Sequence, residues 1–141
     1  MKKNSFLSEH ELESMGFASL GENVLISKNA SFYGVENISI GSDVRIDDFC
    51  ILSGKIAILD NVHISAAVLL YGGEASITIG NHVSVSSRSA IYAITDDFSG
   101  QYLVGPMEPE HLRNVKSAPV VLKDFSLIGT GTTILPGITV G

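Results

Sequence analysis

Hydrophobic residues return at every sixth position along most of this chain. The pattern is clearest between Leu122 and Gly141, where aliphatic residues occupy positions 122, 128, 134 and 140. A small or aliphatic residue follows the first three of them after four positions: Ser126, Thr132 and Ile138. An α-helix repeats at about 3.6 residues and an exposed strand alternates at about two, so this period indicates neither. It is typical of a coil of three short strands whose aliphatic side chains point inward.

The same period divides the chain into coils of eighteen residues, as from Ile40 to Ile58. A single coil cannot bury its own inner face, so the coils must stack. Three extra residues before Ile79 fall near Gly72–Ser76, where glycine permits a bulge at a corner. We therefore predict one interior column of leading residues. Its members are Ile40, Ile58, Ile79 and Leu122.

Two segments lie outside the sixfold repeat. In residues 1–19, Ser8 and Glu11 have the spacing of a capping box, which predicts a short helix from about Ser8 to Met15 that covers the first coil. Residues 20–141 form the coil, interrupted at about 96–119 by a segment with no sixfold spacing. Long loops in compact domains are usually functional or disordered, and we interpret this segment as an arm that reaches a neighbouring subunit or covers a site.

Composition excludes several classes of protein. A formal charge of −6 with pI near 5.0 disfavours a nucleic-acid binder, which needs a basic face. No apolar run is long enough for a transmembrane helix, and the basic start at Met1–Ser5 lacks the features of a signal peptide. The single Cys50, at an inward hexad position, rules out an internal disulfide and fits a reducing compartment. We expect a cytoplasmic protein without membrane insertion.

Three motifs and the long arm resemble the hexapeptide-repeat acyltransferases, most closely bacterial sugar O- and N-acetyltransferases of the galactoside and maltose acetyltransferase kind. The motifs are Ile-Gly-Ser-Asp-Val at 40–44, Ile-Gly-Asn-His-Val at 79–83 and Ile-Leu-Pro-Gly-Ile-Thr-Val-Gly at 134–141. The resemblance covers nearly the whole chain after Leu20. It implies an all-β, left-handed parallel β-helix and a homotrimer. It also implies acetyl transfer from acetyl-coenzyme A, without a metal, to a hydroxyl or amino group of a sugar or nucleotide sugar in surface polysaccharide biosynthesis.

The same resemblance locates the chemistry beside the arm. In the sugar acetyltransferases a histidine just after the last strand before the arm usually takes the proton of the acceptor, and this chain has Asp96 there. An aspartate with an ordinary pKa of about 4 is a poor base for a sugar hydroxyl. Two explanations stay open. Either the acceptor is an amine, which attacks in its neutral form, or a histidine from elsewhere is oriented by Asp96 or Asp97 of a neighbouring subunit.

His63 is our candidate for that histidine. We expect it to face outward at a corner, with Arg45 directly beneath it and with Asp47 and Asp48 close by. His10 and His82 are expected to be structural or surface residues. The candidate catalytic residues are His63, Asp96 and Asp97, and the candidate substrate contacts are Arg45, Asp47, Arg88 and His111.

Each candidate also has a plainer interpretation. His63 can be an exposed corner residue, Asp96 and Asp97 can begin a turn, and Arg88 can pair with a neighbour's carboxylate. Coenzyme A, by the resemblance, lies in a groove between subunits whose wall includes the backbone of Gly129, Thr130 and Gly131. The repeat stops at Gly141, so we expect C-terminal coils of the family, with their basic contacts to the cofactor, to be missing.

Two other functions share this coil. One is a non-catalytic trimeric β-helix used for binding or structure, which the missing family histidine favours. The other is a zinc protein like the γ-carbonic anhydrases, which needs three converging imidazoles. His63 and His82 do not have the spacing of such a site.

Overall fold

The computed structural model describes residues 5–141, so the signal-peptide argument from Met1–Asn4 lies outside the described residues. Within them the chain contains one α-helix and sixteen short strands. The helix α1 (Glu9–Ser14) begins after the N-cap residue Ser8. The Ser8 hydroxyl accepts from the Glu11 N–H, and the Glu11 side chain accepts from the Ser8 N–H, which confirms the capping box. Across this part of the chain, no helix has the length and apolar character needed to cross a bilayer.

The strands form a parallel β-helix of about six turns with three faces, as expected for the left-handed β-helix of the resemblance. Face 1 contains β1 (Ser19–Leu20), β4 (Ile38–Ile40), β13 (Val120–Leu122) and β16 (Thr139–Val140). Face 2 contains β2 (Val24–Ile26), β5 (Val44–Ile46), β7 (Val62–Ile64), β9 (Ser84–Val85) and β14 (Leu127–Ile128). Face 3 contains β3 (Ser31–Tyr33), β10 (Ala90–Tyr92) and β15 (Thr133–Ile134). Two longer strands, β6 (Ile51–Ile58) and β8 (Leu69–Ile79), run from face 3 into face 1.

The predicted interior column is confirmed. Successive face 1 strands pair in parallel and in register, so that each leading residue lies over the one in the coil below. The column runs through Leu20, Ile40, Ile58, Ile79 and Leu122. The four residues from Ile40 onward are at most 1% exposed, and Cys50 is fully buried in the same core. Burial of these stacked aliphatic side chains is the main stabilising term of the fold.

Corners between faces are made by residues in the left-handed backbone region. Between faces 1 and 2 the corner residues Asp43, Asn61 and His82 have φ of 57°, 58° and 58°. Between faces 2 and 3, Phe49 and Arg88 both have φ of 63°. This conformation costs a non-glycine residue roughly 1–2 kcal/mol. It persists because the N–H of each corner residue donates to a carbonyl of the coil beneath, as from His82 to Asp60 and from Arg88 to Ala66.

The corner between faces 3 and 1 is built from glycine. Gly54 (φ 83°) lies in register with Gly73 (φ 54°), and a Cβ on Gly54 would lie 2.4 Å from the Gly73 nitrogen. The pairing of β6 and β8 shifts register here, where Ile56 pairs with Ile77. This shift confirms the bulge expected at Gly72–Ser76.

The arm leaves the coil at this same corner, one coil further along. Its base is an antiparallel pair of strands, β11 (Ile94–Thr95) and β12 (Lys116–Ser117). Below that pair, the Ala118 N–H donates to the Ala93 carbonyl at 3.0 Å, and the chain re-enters face 1. Residues between the two strands include a 3-10 turn at Glu110–Leu112. The arm therefore starts and ends at one point of the coil.

Candidate active site at the base of the arm

Asp96 follows β11 directly and ties the two sides of the arm together. Its Oδ1 accepts from Arg113 Nη2 at 3.0 Å, and its Oδ2 accepts from the Gly105 N–H at 3.1 Å. The side chains of Asp96 and Arg113 are only 21% and 19% exposed. A carboxylate oxygen has two lone pairs, so each Asp96 oxygen can accept one further hydrogen bond from a ligand.

The Asp97 side chain is more buried than that of Asp96 and is held by neighbouring residues of the arm. Its Oδ1 accepts from the Ser99 N–H at 2.7 Å, its Oδ2 accepts from Asn114 Nδ2 at 2.7 Å, and Lys116 Nζ lies 3.7 Å away. Hydrogen bonds from Ser99, and then from Asn114, lower the pKa of Asp97 to about 2. The contact to Ser99 is the turn expected in the plainer interpretation of this pair. A carboxyl with so low a pKa is a weak proton acceptor at neutral pH.

The lowered pKa of Asp97 predicts an acid-sensitive arm. Because the folded-state pKa lies below the ordinary value, the stabilisation is complete above about pH 4 and is lost as pH falls toward about 2. We expect Asp97→Asn to lower the urea midpoint of unfolding at neutral pH. The variant's midpoint should then fall less than that of the wild type between about pH 4 and about pH 2. Glu108→Gln, which changes an exposed carboxyl of the same arm, is the matched control. An unchanged acid dependence in Asp97→Asn would contradict the assignment.

His63 lies on face 2 rather than at a corner, so that expectation is wrong. It is the central residue of β7, between the buried Val62 and Ile64, and its side chain points outward because strand residues alternate. Arg45 lies in register beneath it, as expected. The prediction misplaced the corner because both neighbours of His63, Val62 and Ile64, point inward, whereas the hexad pattern marks only Ile64 as inward.

Asp47, from the same chain, orients His63. Its Oδ2 lies 2.8 Å from His63 Nε2, and its Oδ1 accepts from Arg45 Nε at 2.7 Å. Burial raises the pKa of Asp47, but the hydrogen bonds from Arg45 and His63 outweigh it and leave the pKa below its ordinary value. Asp48 does not join this cluster, since its carboxylate accepts from the Ser27 hydroxyl instead.

The two clusters lie apart within one chain. His63 lies on face 2, whereas Asp96 and Asp97 lie beyond the opposite corner, where faces 3 and 1 meet. Both aspartates are hydrogen-bonded to residues of their own arm, and His63 is hydrogen-bonded to Asp47. Sequence reasoning brought together Arg45, Asp47 and His63 correctly but did not foresee that Asp47 takes the orienting role.

The remaining candidates are exposed. Arg88 occupies a corner between faces 2 and 3, and its side chain forms no ion pair with the described residues. His111 lies in the 3-10 turn of the arm. The turn at Gly129–Gly131 exposes its backbone, although the Gly129 carbonyl accepts from the Ser89 hydroxyl at 3.0 Å. Among residues 5–141, no three His, Cys, Asp or Glu side chains are grouped as a metal site requires.

Sequence reasoning missed two groups of residues. Arg113, Asn114 and Lys116 were not foreseen as partners of the two aspartates, because only the folded arm brings them near. Two stacked tyrosines beside the arm, Tyr71 and Tyr92, were also overlooked. Each follows an inward residue of face 3 directly, so their outward direction could have been read from the repeat.

Known proteins clarify what this arrangement does. A dTDP-4-amino-4,6-dideoxy-D-glucose acyltransferase of Escherichia coli is 42% identical over 137 residues, which cover 95% of this chain and 71% of that protein. A putative lipopolysaccharide biosynthesis O-acetyl transferase, WbbJ, of E. coli K12 is 31% identical over 111 residues, 75% of this chain and 54% of that protein. No protein-family profile matches the chain.

Solved structures show a similar protein with its ligands. AntD, an N-acyltransferase from Bacillus cereus, is 50% identical with a TM-score of 0.96, over 97% of this chain and 73% of that one, in a complex of one variant with dTDP and coenzyme A. Another variant, with a TM-score of 0.95, holds dTDP-4-amino-4,6-dideoxyglucose and coenzyme A.

Coil, arm and relatives together define a class of acyl-coenzyme A-dependent enzymes that act on sugars. The chain belongs to the hexapeptide-repeat sugar acyltransferases. The acyl group comes from a coenzyme A thioester. This confirms the acyltransferase prediction and disfavours the non-catalytic and zinc-protein alternatives.

Proposed function

We propose that this protein transfers an acyl group, acetyl in the simplest case, from coenzyme A to the amino group of a dTDP-linked amino sugar. The observation that carries the proposal is Asp96 at the position where the family resemblance expects a histidine. An amine attacks a thioester in its neutral form and needs no strong base. Support comes from the relatives, because one is named for a dTDP-linked amino sugar and another is solved in complex with such a sugar and coenzyme A.

In the proposed reaction the amine nitrogen attacks the thioester carbonyl carbon, and the carbon–sulfur bond then breaks. The sugar gains an amide, and the proton lost by nitrogen is balanced by the free thiol of coenzyme A. Asp96 holds the amine by accepting its N–H on a free lone pair, which orients the nitrogen lone pair toward the carbonyl carbon. Hydrogen bonds from Arg113 and the Gly105 N–H hold that carboxylate in a fixed position.

The solved AntD forms add independent support. They include variants at one serine and one aspartate that are ten residues apart in that protein. This chain has two serine–aspartate pairs with the same separation, Ser86 with Asp96 and Ser87 with Asp97. We favour Ser86 and Asp96, because the Asp97 carboxylate is only 6% exposed and already holds three neighbours.

We further propose that the active form is a homotrimer in the cytoplasm, where one subunit's arm meets face 2 of the next. Large apolar side chains of the arm support this, since they are exposed in the single chain and suit burial against a second subunit. They are Phe98, Tyr102, Leu103, Val104, Met107, Leu112 and Val115. Arg45, Asp47, Arg88 and His111 stay proposed substrate contacts, and Gly129, Thr130 and Gly131 stay the proposed wall of the coenzyme A groove.

A second candidate is acyl transfer to a sugar hydroxyl. The pair of His63 and Asp47 favours it, because a carboxylate-oriented imidazole is the usual base for deprotonating a hydroxyl. The similarity to a putative O-acetyl transferase supports it as well. A neutral amine does not need His63 as a base.

Thiol release from acetyl-coenzyme A discriminates the two. The purified protein is assayed with two acceptors, dTDP-4-amino-4,6-dideoxyglucose and the corresponding sugar with a 4-hydroxyl group. We expect release with the amine and little with the hydroxyl. Release with neither acceptor would overturn the proposed function, and a preference for the hydroxyl would favour the second candidate.

The substitution His63→Ala sharpens this comparison. We expect transfer to the amine to change by less than about threefold, and any transfer to the hydroxyl to fall by roughly 10²–10⁴-fold, the usual contribution of a general base. The oligomeric state by light scattering serves as the control for folding. Loss of both activities in an intact assembly would show that His63 also serves the amine, contrary to the proposal.

A further inference from the structure

Outward side chains on face 3 form an aromatic column with one member missing. Tyr33, Ser53, Tyr71 and Tyr92 follow one another in register through four successive coils. The rings of Tyr71 and Tyr92 pack with centroids 5.2 Å apart and planes 32° apart. Burial, and then the neighbouring Tyr92, raise the pKa of Tyr71, in keeping with this close contact.

Ser53 leaves a notch between two rings. Adjacent coils lie about 4.8 Å apart, so Tyr33 and Tyr71, two coils apart, leave roughly 9.6 Å between their strands. A planar ring inserted at the level of Ser53 would lie about 4.8 Å from each tyrosine, within the range of stacked aromatic rings. Tyr33 is 60% exposed, so it has the free surface such stacking needs.

A strip of backbone without side chains leads from this notch to the arm. Gly34, Gly54 and Gly73 are the corner residues next to the tyrosine column. Gly73 packs against Ile94 at the base of the arm, where a Cβ on Gly73 would lie 3.1 Å from Ile94 Cβ. Ile94 is two residues before Asp96, so the strip connects the notch with the candidate site.

Positive charge lies along the same edge of an otherwise acidic protein. Lys55 follows Gly54 and is exposed, as is Glu74 after Gly73 in the next coil. Lys116, in the base of the arm, also lies 3.7 Å from Asp97 but is 62% exposed. These ammonium groups suit the negative charge of a diphosphate. The two coils between Ser53 and Tyr92 separate notch and arm by about 9.6 Å, a gap that deoxyribose and a diphosphate can bridge.

We propose that the notch over Ser53, between Tyr33 and Tyr71, binds the pyrimidine base of the acceptor nucleotide. The diphosphate then follows the glycine corner toward Asp96, which places the sugar amine at the arm. This inference rests on the proposed function, because that function makes a thymidine nucleotide the ligand. It assigns base recognition to the tyrosine column and leaves the reacting atoms to the arm.

Calorimetric titration of dTDP tests the proposal without any acyl transfer. We expect Tyr33→Ala to raise the Kd for dTDP at least tenfold, in line with the usual loss when a base loses its stacking partner. The matched variant Tyr33→Phe keeps the ring and should bind within about threefold of wild type. Ser53→Tyr refills the notch and should raise the Kd by more than about thirtyfold, whereas binding of inorganic pyrophosphate should stay unchanged in all three.

Coenzyme A affinity and oligomeric state are measured on the same variants. Wild-type binding of dTDP by both Tyr33→Ala and Ser53→Tyr would overturn the base site while leaving the proposed transfer reaction standing. A protein that binds dTDP through the column but releases no thiol with either acceptor would overturn the proposed function and keep the base site. Tyr33→Ala and Ser53→Tyr are expected to keep wild-type coenzyme A affinity and the native assembly, which shows that a loss of dTDP binding comes from the column and not from the fold.

Discussion

Asp96→Asn is expected to lower kcat/KM for acyl transfer to the amino sugar by roughly 10²-fold, the usual cost when a reacting atom is no longer held in position. The amide keeps the shape of the carboxylate but replaces one acceptor oxygen with an N–H donor. That donor would face either Arg113 or the Gly105 N–H, both of which are donors themselves. The amine would thus lose one of its two possible acceptor oxygens and the negative charge beside it.

Thiol release with the amino sugar measures this effect, and dTDP titration shows whether the acceptor still binds. Glu108→Gln removes a carboxylate from an exposed position of the same arm and should leave the rate within about twofold. The catalytic assignment of Asp96 fails if Asp96→Asn retains a third or more of wild-type kcat/KM.

Gly54→Ala is expected to destabilise the protein by about 2–5 kcal/mol, the combined cost of the left-handed conformation and of overpacking. The new Cβ would lie 2.4 Å from the Gly73 nitrogen, a backbone atom of the neighbouring coil. Backbone in the middle of a parallel β-helix has no room to move aside, because each coil is hydrogen-bonded above and below.

Gly100→Ala is a closely matched control. Gly100 has φ of 87°, almost equal to the 83° of Gly54, but nothing lies within 4 Å of its added Cβ. It should cost only about 1–2 kcal/mol, from backbone conformation alone. Urea unfolding at one fixed protein concentration compares the two variants, since assembly can contribute to apparent stability. Equal losses would show that the contact with Gly73 is not the cause.

Much of the fold could be predicted because it repeats. The interior column, the buried Cys50 and the bulge before Ile79 all follow from the sixfold spacing, since one coil fixes the positions of the next. The capping box of Ser8 and Glu11 was recognisable for a similar reason, because its two residues are three apart in sequence. Local and periodic signals carry this information in the sequence itself.

The candidate site was less predictable because it depends on contacts without a period. Arg113 reaches Asp96 across seventeen residues of arm, and only the folded arm selects it over the other cations. Asp47 reaches His63 from one coil below, and the spacing alone could not show that it would bind both Arg45 and His63. Tyr33, Tyr71 and Tyr92 are a different case, because their column follows from the repeat and could have been predicted.

The hydrogen bond between Ala118 and Ala93, together with the pairing of β11 with β12, makes the arm leave and rejoin the wall at one place. Both ends of the excursion meet at one rung, so its length and sequence can change without disturbing the register of the rungs above or below. Replacing this one insert would therefore change the residues around Asp96 and leave the stacked core intact, so grafting it between relatives offers a direct route to altered acceptor choice.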